Sequence, residues 1–118
     1  MARSERFSGA ITQALTVSTQ TIGFPFDITN YSGFAATITC PAAAAGTMFL
    51  EWCNFNSTND ADWNAVPTAQ YPTASVALAA ATSKTVNVHA VHVGFLRLRV
   101  TLSAGAGTYT TICLAKDF

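Results

Sequence analysis

Residues 48–67 read MFLEWCNFNSTNDADWNAVP. Met48, Leu50 and Trp52 fall on one face of an extended chain, with Phe49 and Cys53 on the other. A polar run follows, and Trp63 then leads into Val66. Side chains of Asn59, Asp60 and Asp62 can hydrogen-bond the nearby backbone and so favour a turn. The stretch therefore predicts strand, polar turn, strand: a β-hairpin. Trp52 is expected in the core, and Trp63 is expected to start the returning strand and pack inward.

The same two-residue period runs outward in both directions. It appears in Ile11–Val17, in Phe34, Ala36, Ile38 and Cys40, in Val86, Val88 and Ala90, and in Thr110, Ile112 and Leu114. Leu96, Leu98, Val100 and Leu102 alternate against Phe95, Arg97 and Arg99. Period two with β-branched enrichment is the signature of half-buried strands. Turn residues punctuate the series at 29–33, 41–46, 79–84 and 103–107. About eight strands at this spacing predict an all-β antiparallel sandwich or barrel. Two alanine-rich stretches, Ala42–Ala45 and Val76–Ala81, are too short or too boxed in by Pro41 and Gly46 to stand as helices. They read as loop or strand edge. Pro25 between Phe24 and Phe26 removes a ladder donor and predicts an edge strand. The organisation expected is one domain over residues 9–118, preceded by a charged arm at residues 1–8.

Composition narrows function. Of 118 residues, half are hydrophobic and 10% are charged, with a formal net charge of zero. An ordinary soluble domain carries about 25% charged residues. From Phe7 to Leu50 the sole charged side chain is Asp27, and from Trp63 to Ser83 there is none. A surface so poor in charge predicts coverage by other protein. No Lys/Arg cluster is present to neutralise phosphates, so nucleic acid is not the expected partner. No run approaches the roughly 18 apolar residues of a membrane span, and the polar start does not read as a signal peptide. Cys40, Cys53 and Cys113 lack metal or redox spacing and read as small buried hydrophobes.

Chemistry is hard to assemble. Asp60, Asp62 and Asn64 match the opening of a calcium loop. Ala65 then stands where glycine is needed, and Tyr71 where the bidentate glutamate belongs. His89 and His92, three apart, fall on opposite faces of a regular strand. No nucleophile elbow or phosphate-cradling glycine loop is present. Spacing alone leaves Glu51 with Asp60 or Asp62 open as a carboxylate pair for glycoside hydrolysis. Trp52, Trp63, Tyr31, Tyr71 and Tyr109 are candidate platforms for a sugar ring. No catalytic residue, cofactor or metal site is expected.

Asn56–Trp63 and the later Val93–Val100 segment, followed by a Gly/Ala-rich turn at 103–107 and a closing strand at 108–116, resemble the small β-sandwich virion proteins of tailed bacteriophages. Ala61 replaces the usual turn glycine, and Phe95 stands near the usual tyrosine. The resemblance covers about the last 70 residues. It implies a jelly-roll-like sandwich in the virion, assembled in the host cytoplasm. The expected function is that of a capsid decoration or cement protein: non-enzymatic, homo-oligomeric, and bound to the major capsid protein or other virion proteins. The alternatives are a carbohydrate- or receptor-binding sandwich of a spike or tail, or a small coat protein. The interface candidates are Arg3, Glu5, Arg6 and Phe7 of the arm and Asn59, Asp60 and Asp62 of the loop.

Overall fold

The computed structural model describes residues 5–89 and 93–116. Among these residues are nine strands: β1 (Glu5–Leu15), β2 (Thr19–Asp27), β3 (Gly33–Thr39), β4 (Ala45–Cys53), β5 (Asn64–Ala65), β6 (Ser75–Leu78), β7 (Ser83–Val88), β8 (Phe95–Ala104) and β9 (Gly107–Lys116). They form two antiparallel sheets. One has the order β1-β9-β3-β7, and the other the order β2-β8-β4-β5, with β6 also paired to β4.

β8 occupies one edge of β4, so β5 and β6 must share the other. β5 lies opposite Glu51 and Trp52, and β6 opposite Gly46 to Phe49. They act as one strand position interrupted by residues 66–74, where Pro67 and Pro72 cannot donate to a ladder. Nine strands thus fill eight positions. The expected count of about eight falls short because of this break. Four positions per sheet, with the chain crossing between sheets after β1, β2, β3, β6, β7 and β8, give a jelly-roll sandwich.

Alternation places the core between the sheets. On β3, Phe34, Ala36 and Ile38 are buried while Thr37 and Thr39 are exposed. Leu96, Leu98, Val100 and Leu102 of β8 meet Tyr109, Cys113 and Ala115 of β9 in the same cluster. Each fully buried large aliphatic side chain contributes about 1.5–3 kcal/mol relative to exposure. Phe26 and Phe34 join the sheets ring to ring, edge-on at 5.0 Å. The three cysteines are buried, and none is in a disulfide. Burial pushes the Cys40 thiol pKa up, which keeps it protonated and inert.

All four sheet edges are blunted. β2 is an edge strand, as Pro25 predicts, and its register shifts between Ile22 and Phe26. Gly23 sits there at φ +64°, a conformation that favours glycine. The Gln13 side chain reaches across from β1, donating to Thr21 O at 3.0 Å and accepting from Gly23 N–H at 2.9 Å. β1 has its own register shift between Phe7 and Ala10. On β7, Asn87 O accepts from Thr73 Oγ1 at 2.7 Å. The β5/β6 edge is broken in the middle. These are the devices by which sheets avoid pairing edge to edge.

The sequence reading placed residues 5–8 in the arm. In the structure they begin β1, where Glu5, Arg6 and Phe7 pair with Lys116, Ala115 and Leu114. The physical reason is that β9 runs to Lys116 and offers them a ladder partner. Arg3 lies outside the described residues, as does His92. Val76–Leu78 falls within β6, and Ala42–Ala44 in a turn.

One core hydroxyl is unmatched. Thr111 is 1% exposed and its Oγ1 has no hydrogen-bond partner. A buried, unsatisfied hydroxyl is destabilising by about 1–3 kcal/mol. Thr111→Val keeps the shape and removes the hydroxyl, so it should stabilise the fold by about 1 kcal/mol in urea unfolding. Destabilisation would mean that the hydroxyl is satisfied.

Candidate functional site

The site grows from the pairing of β4 with β8. That register sets Glu51 directly opposite Arg97, and Leu50 opposite Leu98. With the leucines inward, Glu51, Arg97 and Arg99 project from the outer side of the five-stranded sheet. An arginine there should be solvated, yet Arg97 is 5% exposed. The segment between β4 and β5 folds back over the sheet and covers it.

Arg97 donates from Nε to Glu51 Oε1 at 2.7 Å and from Nη1 to Asp60 Oδ1 at 2.8 Å, and its Nη2 forms an ion-pair contact with Glu51 Oε1 at 2.6 Å. The Trp63 ring closes over the guanidinium, 4.7 Å from Cζ. A planar fork that binds carboxylates while stacking on an indole is the use to which arginine, and not lysine, is suited. Arg99 donates from Nη1 to Thr21 Oγ1 at 2.9 Å. Its Nε lies 3.4 Å from Glu51 Oε1, a Coulombic contact without hydrogen-bond geometry. Two cations and two carboxylates therefore balance.

The loop is built to hold this shape. Asn59 caps a 3-10 turn, Asp60–Asp62, by accepting from Ala61 N–H at 3.1 Å. The Ser57 hydroxyl donates to Asp62 Oδ2 and accepts from Asn59 N–H. Trp63 Nε1–H donates to Ser57 O at 3.1 Å, so the buried indole is satisfied. The hairpin is present, since β5 pairs with β4. Trp63 is buried, but not in the core between the sheets. It lies outside the five-stranded sheet, on Arg97, because the covering loop supplies a second, smaller buried layer there.

Asn59, Asp60 and Asp62 are thus brought together by hydrogen bonds within the chain, with Asp60 still 69% exposed at its side chain. The Arg97 hydrogen bond, with the Arg97 and Arg99 charges behind it, holds the Asp60 carboxyl below its ordinary pKa of 3.8. Glu51 and Asp60 grip the same guanidinium, so they do not face each other across open space as a hydrolytic pair must. Among the described residues no three His, Cys, Asp or Glu side chains converge as metal ligands. His89 follows β7 at an exposed position.

The sugar-platform candidates are mostly spent. Trp63 and Tyr109 are buried, with the Tyr109 hydroxyl donating to Gly105 O at 2.6 Å. Trp52 and Tyr71 pack edge to face at 5.9 Å against the core, and Tyr31 packs there as well. Among the described residues the exposed aromatics are others, Phe24 and Phe55. A cleft of about 460 Å³ lies beside the loop, between Trp52, Phe55, Asp62 and Val93. An apolar one of about 410 Å³ lies at the Phe34–Val88 end of the four-stranded sheet.

Sequence reading missed Arg97 as the hub. It saw a basic residue on the polar side of a strand. The usable signal was two opposite charges, Glu51 and Arg97, at outward positions of neighbouring hydrophobic strands in a chain with few charges.

The opposite surface differs in chemistry. From Gly9 to Ala115, the outward positions of β1, β9, β3 and β7 carry no charged residue. One cross-strand row is Ala10, Ile112, Thr37 and Thr85, and another is Thr12, Thr110, Thr39 and Ser83. Thr37 and Thr85 hydroxyls bond each other at 2.7 Å, and Thr39 and Ser83 at 3.4 Å. Ile112 is 49% exposed at the centre. Lys84 pairs with buried Ile38 and so sits on the other register.

No protein-family model matches the chain, and no curated protein matches it in sequence. Its fold is similar to that of the SPBc2 prophage-derived protein YomS, with a TM-score of 0.60 and 10% identity over 99% of this chain and 96% of that one. It is also similar to a structure described as Bacillus endospore appendages forming a novel family of disulfide-linked pili. There the TM-score is 0.51 and the identity 12%, over 97% of this chain and 85% of that one. At these identities the likeness is one of fold.

Two predictions follow from the Arg97 cluster. Arg97→Ala leaves Glu51 half-buried and frees the loop, so it should destabilise the fold by about 3 kcal/mol in urea unfolding. Arg97→Lys should lose less, because it keeps the charge but not the fork. Asp60 has a lowered folded pKa, so its contribution is present above 3.8 and disappears as pH falls through the lower folded value. Protection factors of the amides in residues 57–63, exchange rates referred to the intrinsic rate at the same pH, should fall over that acidic window and stay flat from pH 5 to 8. Asp60→Asn should abolish the acid step.

Proposed function

We propose that this chain is a non-enzymatic structural protein of a phage particle, a capsid decoration or cement protein that stabilises the shell by non-covalent contact. The observation that carries the reading is the uncharged outer side of the four-stranded sheet. Burying a charged surface strands ions away from water, whereas this face carries none from Gly9 to Ala115, with Lys116 standing at its end. The residues that could have done chemistry are committed to structure: Glu51, Asp60 and Arg97 neutralise one another under Trp63. The jelly-roll likeness to a prophage-derived protein supports the virion setting, together with the resemblance of the loop and of Val93–Val100 to phage sandwich proteins. A disulfide-linked assembly of the kind named for the endospore pili is not carried over, because Cys40, Cys53 and Cys113 are buried.

On this reading the partner is the major capsid protein or another virion protein. Asn59, Asp60 and Asp62 line the exposed rim of the loop, and Glu5, Arg6 and Phe7 open β1 opposite Lys116, Ala115 and Leu114. Both places are proposed contacts as well. Titrating purified protein against capsids that lack it should give saturation at a fixed stoichiometry per capsomer, read by sedimentation of the bound fraction. Failure to co-sediment at tens of micromolar protein would overturn the proposal, and retention on a glycan array would then favour a receptor-binding spike or tail component.

A further inference from the structure

We propose that the outer face of the four-stranded sheet is a two-fold interface with a second copy of this chain. The inference rests on the assembly reading above and gives this face to a second copy, with the loop rim and the start of β1 left to meet the shell.

Three observations lead to self-pairing. The first is exclusion of other routes. Association by adding a strand needs a free, regular edge, and every edge here is bulged, broken or capped by a side chain. The outer side of the other sheet is partly occupied by the loop that carries Asp60 and Trp63. One extended surface is left, the row of Ala10, Ile112, Thr37 and Thr85 with its neighbours on either side.

The second is charge. A partner for this face must itself lack charge, or its ions would be buried without counter-ions. The face itself meets that condition. An isologous contact opposes a patch to itself, so a neutral patch suffers no like-charge repulsion. The polar groups present are largely hydroxyls. The Thr37–Thr85 and Thr39–Ser83 pairs already bond within the face, so their burial leaves little hydrogen bonding to recover.

The third is size. Four strands about 4.8 Å apart, each spanning roughly six or seven residues at about 3.4 Å and turning every second one outward, make a face of roughly 20 by 25 Å. That is on the order of 500 Å² per copy, and two copies reach the ~1,000 Å² of a specific interface. Ile112 at the centre and Leu114 beside it supply the apolar middle, and the threonines the rim.

The test is sedimentation equilibrium on the intact chain, followed by capsid co-sedimentation of the same samples. Wild type should sediment at twice the 12.4 kDa chain mass. Ile112→Lys places two like charges at the dimer centre and should weaken self-association at least ~100-fold, with the thermal melt of the monomer retained because Ile112 is half exposed. Thr37→Lys, at an exposed neighbouring position, should do the same and serves if Ile112→Lys fails to fold. Phe24→Lys, at the exposed bulge of β2, should leave the dimer intact. A monomeric wild type, or lysine variants that remain dimeric, would overturn the proposal. Wild type that is monomeric yet saturates capsids overturns self-pairing while sparing the virion reading. Lysine variants that stay dimeric but lose capsid binding assign the face to the shell and overturn self-pairing too.

Discussion

The register of β4 against β8 is the constraint on which the rest depends. With Leu50 opposite Leu98 and Met48 opposite Val100, the hydrophobic members of both strands point between the sheets. The same register puts Glu51 against Arg97 on the other side. Because the side-chain period is two, a slip of one residue would turn one strand over against the other, driving either Arg97 and Arg99 of β8 or Glu51 of β4 into the core and exposing that strand's hydrophobic members. Core and ion cluster therefore specify one alignment from opposite faces of the same sheet.

That cluster explains an apparent waste. A chain with so few charges concentrates four of them, Glu51, Asp60, Arg97 and Arg99, in one place. They work as a fastener: the guanidinium draws Asp60 down, Trp63 covers it, and Ser57 and Asn59 stiffen the segment between. Exposed ion pairs contribute little because water competes for both partners. Here the covering indole removes much of that competition around Arg97, and Asp60 remains the solvated end of the network.

The molecule is consequently two-sided. One sheet carries the ion cluster, the covering loop and the exposed Phe55 beyond β4. The other is a flat array of alanine, threonine and isoleucine that is unusual for a solvent face.

Much of the fold was legible in residue order, because burial on one face of a strand writes itself as period two. Phe34, Ala36, Ile38 and the leucines of β8 announce their positions without any partner in view. Pro25 marks its strand as an edge because it lacks an N–H. The hairpin of 48–67 was legible for the same reason, as was the burial of the three cysteines. What periodicity cannot express is a contact between segments far apart in the chain. Nothing local distinguishes a solvated Arg97 from one buried beneath a loop that starts more than thirty residues earlier. Trp63 reads as core by its chemistry, and only the backfolded loop decides that its burial lies outside the sandwich. Likewise the threonines of β1, β9, β3 and β7 are ordinary outward residues one strand at a time. They become a single uncharged face because the tertiary fold sets strands from the two ends of the chain beside strands from its middle, and the charge of a surface belongs to neighbours in space.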